Sequence, residues 1–141
     1  MQVQIATTDK EILRCYDAFR ELRPRLTERA FVEQVVRQTR NHGYTLIYIV
    51  DTERVVAAAG YRVAEYLAWG RTFYVDDLIT VEGARRKGFG GVLLDRLIEK
   101  ARELDCAAIH LDSGVQRYDA HRLYMSRRLR ISSHHFSRVL E

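Results

Sequence analysis

The chain predicts a mixed α+β layer fold in one domain, residues 1–141, and three observations predict it. Short runs of β-branched and aromatic residues recur between turn residues, two longer stretches carry helical periodicity, and a glycine-rich turn joins a strand-like run to an amphipathic segment. Read in order, the elements are β-α-α-β-β-β-α-β-α-β. With 141 residues, 47% of them hydrophobic, 30% charged and a single proline, the chain is long enough to bury a core and has the balance of a folded protein.

Val3 and Ile5 alternate with polar neighbours and read as a short strand. Thr7-Thr8-Asp9 then offers a helix N-cap before an apolar pattern at Ile12, Leu13, Tyr16, Phe19 and Leu22, and Pro24 ends that helix. Thr27-Glu28-Arg29-Ala30 starts another, with Phe31, Val32, Val35 and Val36 as its buried stripe and Asn41-His42-Gly43 as its close. Tyr44 to Val50 and Val55 to Val63 flank the turn Asp51-Thr52-Glu53-Arg54, an antiparallel hairpin. Thr72 to Val81 follows the Trp69-Gly70 break and completes a meander. From Gly88 to Leu104 the period becomes helical, with Phe89, Val92 or Leu93, Leu97, Ala101 and Leu104 on one face. Ala107 to Leu111 reads as a strand, Asp119 to Arg127 as a helix and Arg130 to Leu140 as a last strand.

Composition removes several function classes. No window approaches the roughly 18 apolar residues of a membrane span, and the N-terminus lacks a signal-peptide pattern, so a cytoplasmic location and no membrane partner are expected. Cys15 and Cys106 form no C-x-x-C pair and read as small hydrophobes. His134 and His135 are adjacent on the expected last strand and point to opposite faces, and no metal is expected. His121 and Tyr124 are three apart on the second helix and within reach of each other. The net charge of +4 is carried mostly by arginine, which suits phosphates and carboxylates, but no basic stripe is interleaved with aromatics as single-stranded nucleic acid would need.

The segment Arg85-Arg86-Lys87-Gly88-Phe89-Gly90-Gly91 lies between a strand and a helix, where unpaired amide N–H groups converge and bind an anion. Gly88 and Gly90 leave room for a phosphate to approach backbone. Three cations at a positive helix end are unfavourable unless an anion is present. The spacing is neither a Walker A loop nor a dinucleotide fingerprint.

This segment and the following Val92-Leu93-Leu94, with the element order, resemble the acetyl-CoA-binding portion of the Gcn5-related N-acetyltransferase (GNAT) superfamily over nearly the whole chain. The resemblance implies a GNAT-like mixed, mostly antiparallel central sheet flanked by helices. It implies that acetyl-CoA is the cosubstrate, that the amides of Arg85, Arg86, Lys87, Gly88, Phe89, Gly90 and Gly91 bind its pyrophosphate, and that Leu78, Ile79 and Thr80 bond the pantetheine arm through their backbone. Ala120-His121-Arg122-Leu123-Tyr124 resembles the family's A-x-x-x-Y segment, which makes Tyr124 the general acid for the departing thiolate; an ordinary phenol is protonated at neutral pH. The stretch from Arg117 to Tyr124, with Ser133 and Phe136, is similar to the small-molecule branch that includes aminoalkylphosphonate N-acetyltransferases.

Three positions depart from the family pattern. Tyr74 stands where some members carry a glutamate base, Arg117 replaces an asparagine, and Arg128 replaces the glycine that ends the last helix, so a different helix exit is expected there. Asp76 shares a strand face with Tyr74 and is the candidate base, whereas Asp77 points the other way unless a bulge intervenes. The function expected is acetyl transfer from acetyl-CoA to a primary amine of a small molecule by direct attack in a ternary complex, with Arg62, Glu65, Tyr66 and Trp69 the first places to look for acceptor contacts. Two alternatives are an acetyltransferase of protein lysines or N-termini, and a non-catalytic module binding acyl-CoA or nucleic acid. The sequence leaves a homodimer open.

Overall fold

A computed structural model describes residues 1–141. They form two compact units, Met1–Leu111 and Asp112–Glu141. The first holds β1 (Val3–Ile5), α1 (Asp9–Arg14), α2 (Tyr16–Leu22), α3 (Glu28–His42), β2 (Thr45–Asp51), β3 (Arg54–Tyr66), β4 (Gly70–Thr80), a 3₁₀ turn (Glu82–Ala84), α4 (Phe89–Glu103) and β5 (Ala108–Leu111). The second holds α5 (Tyr118–Ser126) and an irregular C-terminal stretch.

The helix starts follow from their caps. Thr8 Oγ1 accepts from the Glu11 N–H and Thr27 Oγ1 from the Ala30 N–H, each satisfying an amide that the helix leaves unpaired. The first helical stretch is broken at Cys15, giving α1 and α2, and Leu13 is consequently exposed rather than part of the buried stripe. The β2–β3 turn places both Thr52 and Glu53 at positive φ, the conformation whose twist matches a two-residue hairpin.

The sheet is five-stranded in the order β1-β2-β3-β4-β5, antiparallel except for the parallel β4–β5 pair. Consecutive residues are buried along Leu46–Ile49 and Val55–Ala59, so both faces of the central strands are covered and helices flank the sheet. Phe89, Leu93, Leu97 and Ala101 of α4 join that core.

The expected last strand, Arg130 to Leu140, does not form. Its residues belong to no ladder, and Ile131, Phe136, Val139 and Leu140 are exposed. Alternation alone does not hold a strand, because its N–H and C=O groups need a paired neighbour. His134 and His135 therefore lie in irregular chain, with His135 Nδ1 3.3 Å from Asp112 Oδ1. The α5 exit also departs from expectation: Arg128 takes φ +66°, with Arg128 N–H on the Met125 carbonyl and Leu129 N–H on the Tyr124 carbonyl. This is the six-residue glycine-type exit made with arginine, at a cost of roughly 1 kcal/mol.

Candidate functional site

β5 pairs with β4 only over Thr72–Val75, so Asp76 to Thr80 run past the end of β5 while their other edge is bonded to β3. Leu78, Ile79 and Thr80 thus offer an extended backbone edge with no strand beside it. Beyond Thr80 the chain makes the 3₁₀ turn, with the Glu82 N–H donating to Glu21 Oε1 at 2.9 Å, and then enters Arg85–Gly88. Arg86 and Gly88 are both left-handed, at φ +66° and +87°. The left-handed turns aim successive amides to one side. α4 begins at Phe89 with no side-chain cap, and its first hydrogen bond runs from the Val92 N–H to the Gly88 carbonyl. The Phe89, Gly90 and Gly91 amides thereby face outward at the positive end of a 15-residue helix. Arg86 and Lys87 are exposed, while Arg85 turns back to donate Nε–H to the Thr80 carbonyl at 3.3 Å, tying the loop to the end of β4.

One strand turn earlier, a bulge rearranges the acidic pair. The register passes from Tyr61↔Val75 to Gly60↔Asp77, leaving Asp76 as the extra residue. Strict alternation would put the two carboxylates on opposite faces, and the bulge brings both to one. Asp76 accepts from Arg62 at both oxygens, Nε–H on Oδ1 at 3.0 Å and Nη2–H on Oδ2. Asp77 Oδ2 accepts from the Tyr44 hydroxyl at 2.8 Å, and Oδ1 from Arg23 at 2.9 and 3.2 Å. The Arg62 guanidinium sits 6.0 Å from the Tyr44 ring centroid, which joins the two pairs.

Gly60 makes this arrangement fit. A Cβ there would fall 1.7 Å from the Tyr44 oxygen, so the absence of a side chain on β3 is what seats Tyr44 against Asp77. Burial, reinforced by Asp77, holds the Tyr44 phenol well above its ordinary pKa and keeps it a donor. Burial also raises the Asp76 carboxyl, opposed by the Arg62 bonds.

The neighbouring cavity, about 400 Å³, is bounded by α2, the α2–α3 turn, α3, Tyr44 and Asp77. Of the four acceptor-contact candidates, only Arg62 reaches the acidic pair. Tyr66 and Trp69 lie at the β3–β4 hairpin with Glu65, where their rings are 5.1 Å apart and Trp69 stacks on His110 at 4.1 Å. Sequence reading missed Tyr44, Gly60, Asp77 and Arg23. The signal available was Gly60 within a strand-like run, since a glycine inside a strand often marks a bulge or a close approach.

In the second unit, Tyr124 is buried, 9% exposed, and burial raises its pKa against the lowering effects of Arg117 and a Ser113 hydrogen bond. His121 turns to Ser113, its Nε2 3.1 Å from Ser113 Oγ. Cys15, fully buried and pushed up to about 12 by desolvation, has the inert environment expected of a core thiol, whereas Cys106 is only half-buried.

Residues 10–128 match the model of the acetyltransferase (GNAT) family. The chain is 29% identical over 118 residues to the uncharacterized N-acetyltransferase YhdJ of Bacillus subtilis (strain 168), covering 84% of this chain and 83% of that one. Among solved structures, a transcriptional regulator from Bacillus halodurans C-125 aligns with TM-score 0.85 at 22% identity, over 99% of this chain and 100% of that one. An aminoglycoside acetyltransferase from an uncultured soil metagenomic sample aligns with TM-score 0.81 at 13% identity, over 99% and 96%. At those identities the structures share the fold.

Proposed function

The chain belongs to the acetyltransferase (GNAT) family, whose members use acetyl-CoA, and on that premise we propose that it moves an acetyl group from acetyl-CoA to the primary amine of a small molecule. The family match crosses both compact units, which supports treating 1–141 as a single catalytic domain. The observation that carries the proposal is the β4 edge at Leu78–Thr80, which has no strand beside it and leads into the loop Arg86–Gly91, whose amides make no backbone hydrogen bond; the Arg85 N–H is taken by the Glu82 carbonyl. A pantetheine arm carries amides that can bond such an edge, and a pyrophosphate suits the amide nest that follows.

Proton handling is assigned to two residues. The amine nitrogen attacks the thioester carbonyl carbon, the carbon–sulfur bond breaks, and Tyr124 donates its phenolic proton to the departing thiolate. Its raised pKa keeps that proton in place across the working range. Asp76 takes the proton lost by the amine through water, with Arg62 fixing the carboxylate. The resemblance of Arg117–Tyr124, Ser133 and Phe136 to the aminoalkylphosphonate branch favours a small amine over a protein.

Tyr124→Phe is the test. It is expected to lower kcat by about 100-fold or more with acetyl-CoA affinity unchanged. Full kcat in the variant at every pH would remove the acid role.

A further inference from the structure

We propose that the cavity under α2 and α3 is the acceptor subsite, that Asp77 holds the acceptor's ammonium there, and that the acceptor is a monoamine with an apolar body. The proposal rests on the acetyl-transfer reading above and names its substrate class.

The body of the acceptor is set by the walls. Phe19 and Leu22 of α2, Leu26 of the turn, and Phe31 and Val35 of α3 line the cavity, with the Phe19 and Phe31 rings 5.1 Å apart. A volume of about 400 Å³ suits a small molecule. The wall is fixed rather than loose, since the Tyr16 hydroxyl donates to the Leu26 carbonyl at 2.7 Å and pins the α2–α3 turn.

The charge of the acceptor is set by Asp77, the one acidic residue lining the cavity. Its two oxygens are held differently. Oδ2 accepts from Tyr44, a side chain 2% exposed and seated on Gly60, so that bond is part of the fold. Oδ1 accepts twice from Arg23, which also donates to the Asp76 carbonyl at 3.3 Å, but the Arg23 side chain is 51% exposed, and exposed ion pairs contribute little. An ammonium entering the cavity can take the Oδ1 position as Arg23 swings to solvent, while Tyr44 keeps the carboxylate aimed. Asp77 also immediately precedes Leu78, the start of the edge assigned to pantetheine, so an amine held there lies beside the thioester arm.

The number of amines is set by the remaining charges. With Arg23 swung to solvent, Arg25 still lines the cavity and Asp77 is its one carboxylate. A single ammonium is neutralised by Asp77, but a second would meet net positive charge with no acid to receive it. Polyamines and aminoglycosides are disfavoured on that count.

The experiment uses the full chain. Thiol release from acetyl-CoA is followed with 2-phenylethylamine, spermidine and kanamycin, and binding of 2-phenylethylamine is measured separately by calorimetry without acetyl-CoA. The expected result is preference for 2-phenylethylamine. Asp77→Asn should raise its KM and its Kd by about tenfold or more, with acetyl-CoA affinity unchanged. Arg23→Ala, an exposed change that should not disturb folding, should lower KM severalfold by freeing Oδ1. Preference for spermidine or kanamycin, or Asp77→Asn with unaltered KM and Kd, overturns the proposal. Asp77-dependent binding of 2-phenylethylamine with no thiol release from any amine supports the subsite and overturns acetyl transfer, so the two failures are distinguishable.

Discussion

The loop at Arg85–Gly91 and the acidic corner at Asp76–Asp77 lie within one stretch of chain, yet they are built from opposite materials. The loop offers backbone: amides at a helix start, two left-handed residues and an open strand edge. The corner offers side chains from distant parts of the chain: Arg23 just after α2, Tyr44 just before β2, Arg62 of β3 and the two aspartates of β4. A backbone site tolerates variation in its side chains and needs particular dihedrals. A side-chain site needs particular partners, so it can specialise while the loop stays the same.

The contrast can be broken most forcefully at Gly60. Gly60→Ala drives a Cβ to 1.7 Å from the Tyr44 oxygen and is expected to cost about 3 kcal/mol of stability, measured by urea unfolding. A near-neutral result would mean that Tyr44 is not seated as described.

Next in size is Arg62→Met, which leaves Asp76 without its guanidinium. Both side chains are mostly buried, and a loss of about 2 kcal/mol at pH 7 is expected, below that of a fully enclosed pair. The sign with pH follows from burial, which raises the Asp76 carboxyl above its unfolded value. Removing Arg62 takes away the opposing effect and raises it further. The folded variant then holds the proton more tightly than the unfolded chain, so the loss should shrink as pH falls through that raised pKa. A loss that grows on acidification would contradict the assignment.

Smaller still are the dihedral changes. Gly88→Ala places a Cβ in open space but at φ +87°, and the strain should weaken acetyl-CoA binding by about tenfold without touching the amine site. Smallest is Arg128→Gly, which relieves a left-handed residue outside both regions and should raise stability by about 0.5–1 kcal/mol with no change in acetyl-CoA affinity.

The same contrast explains what could be read from the sequence. Glycine spacing, the caps at Thr8 and Thr27 and the hairpin turn are local, because each depends on neighbours along the chain. The acidic corner depends on a bulge and on residues up to 54 positions apart. Alternation puts Asp77 on the other face unless a bulge intervenes, and one does: the extra residue Asp76 resets the count. The Arg130–Leu140 strand failed for a related reason: its pattern is local, but its ladder partner is not. The Arg128 exit shows the converse, a local rule overridden by two backbone hydrogen bonds at modest cost.

The central claim, that backbone at Arg85–Gly91 holds acetyl-CoA while side chains at Asp77 hold the acceptor, is tested most directly by titrating acetyl-CoA into Gly88→Ala and Asp77→Asn and comparing each with the unsubstituted chain. Acetyl-CoA affinity should fall in Gly88→Ala and stay unchanged in Asp77→Asn. Loss in Asp77→Asn with full affinity in Gly88→Ala would contradict the account.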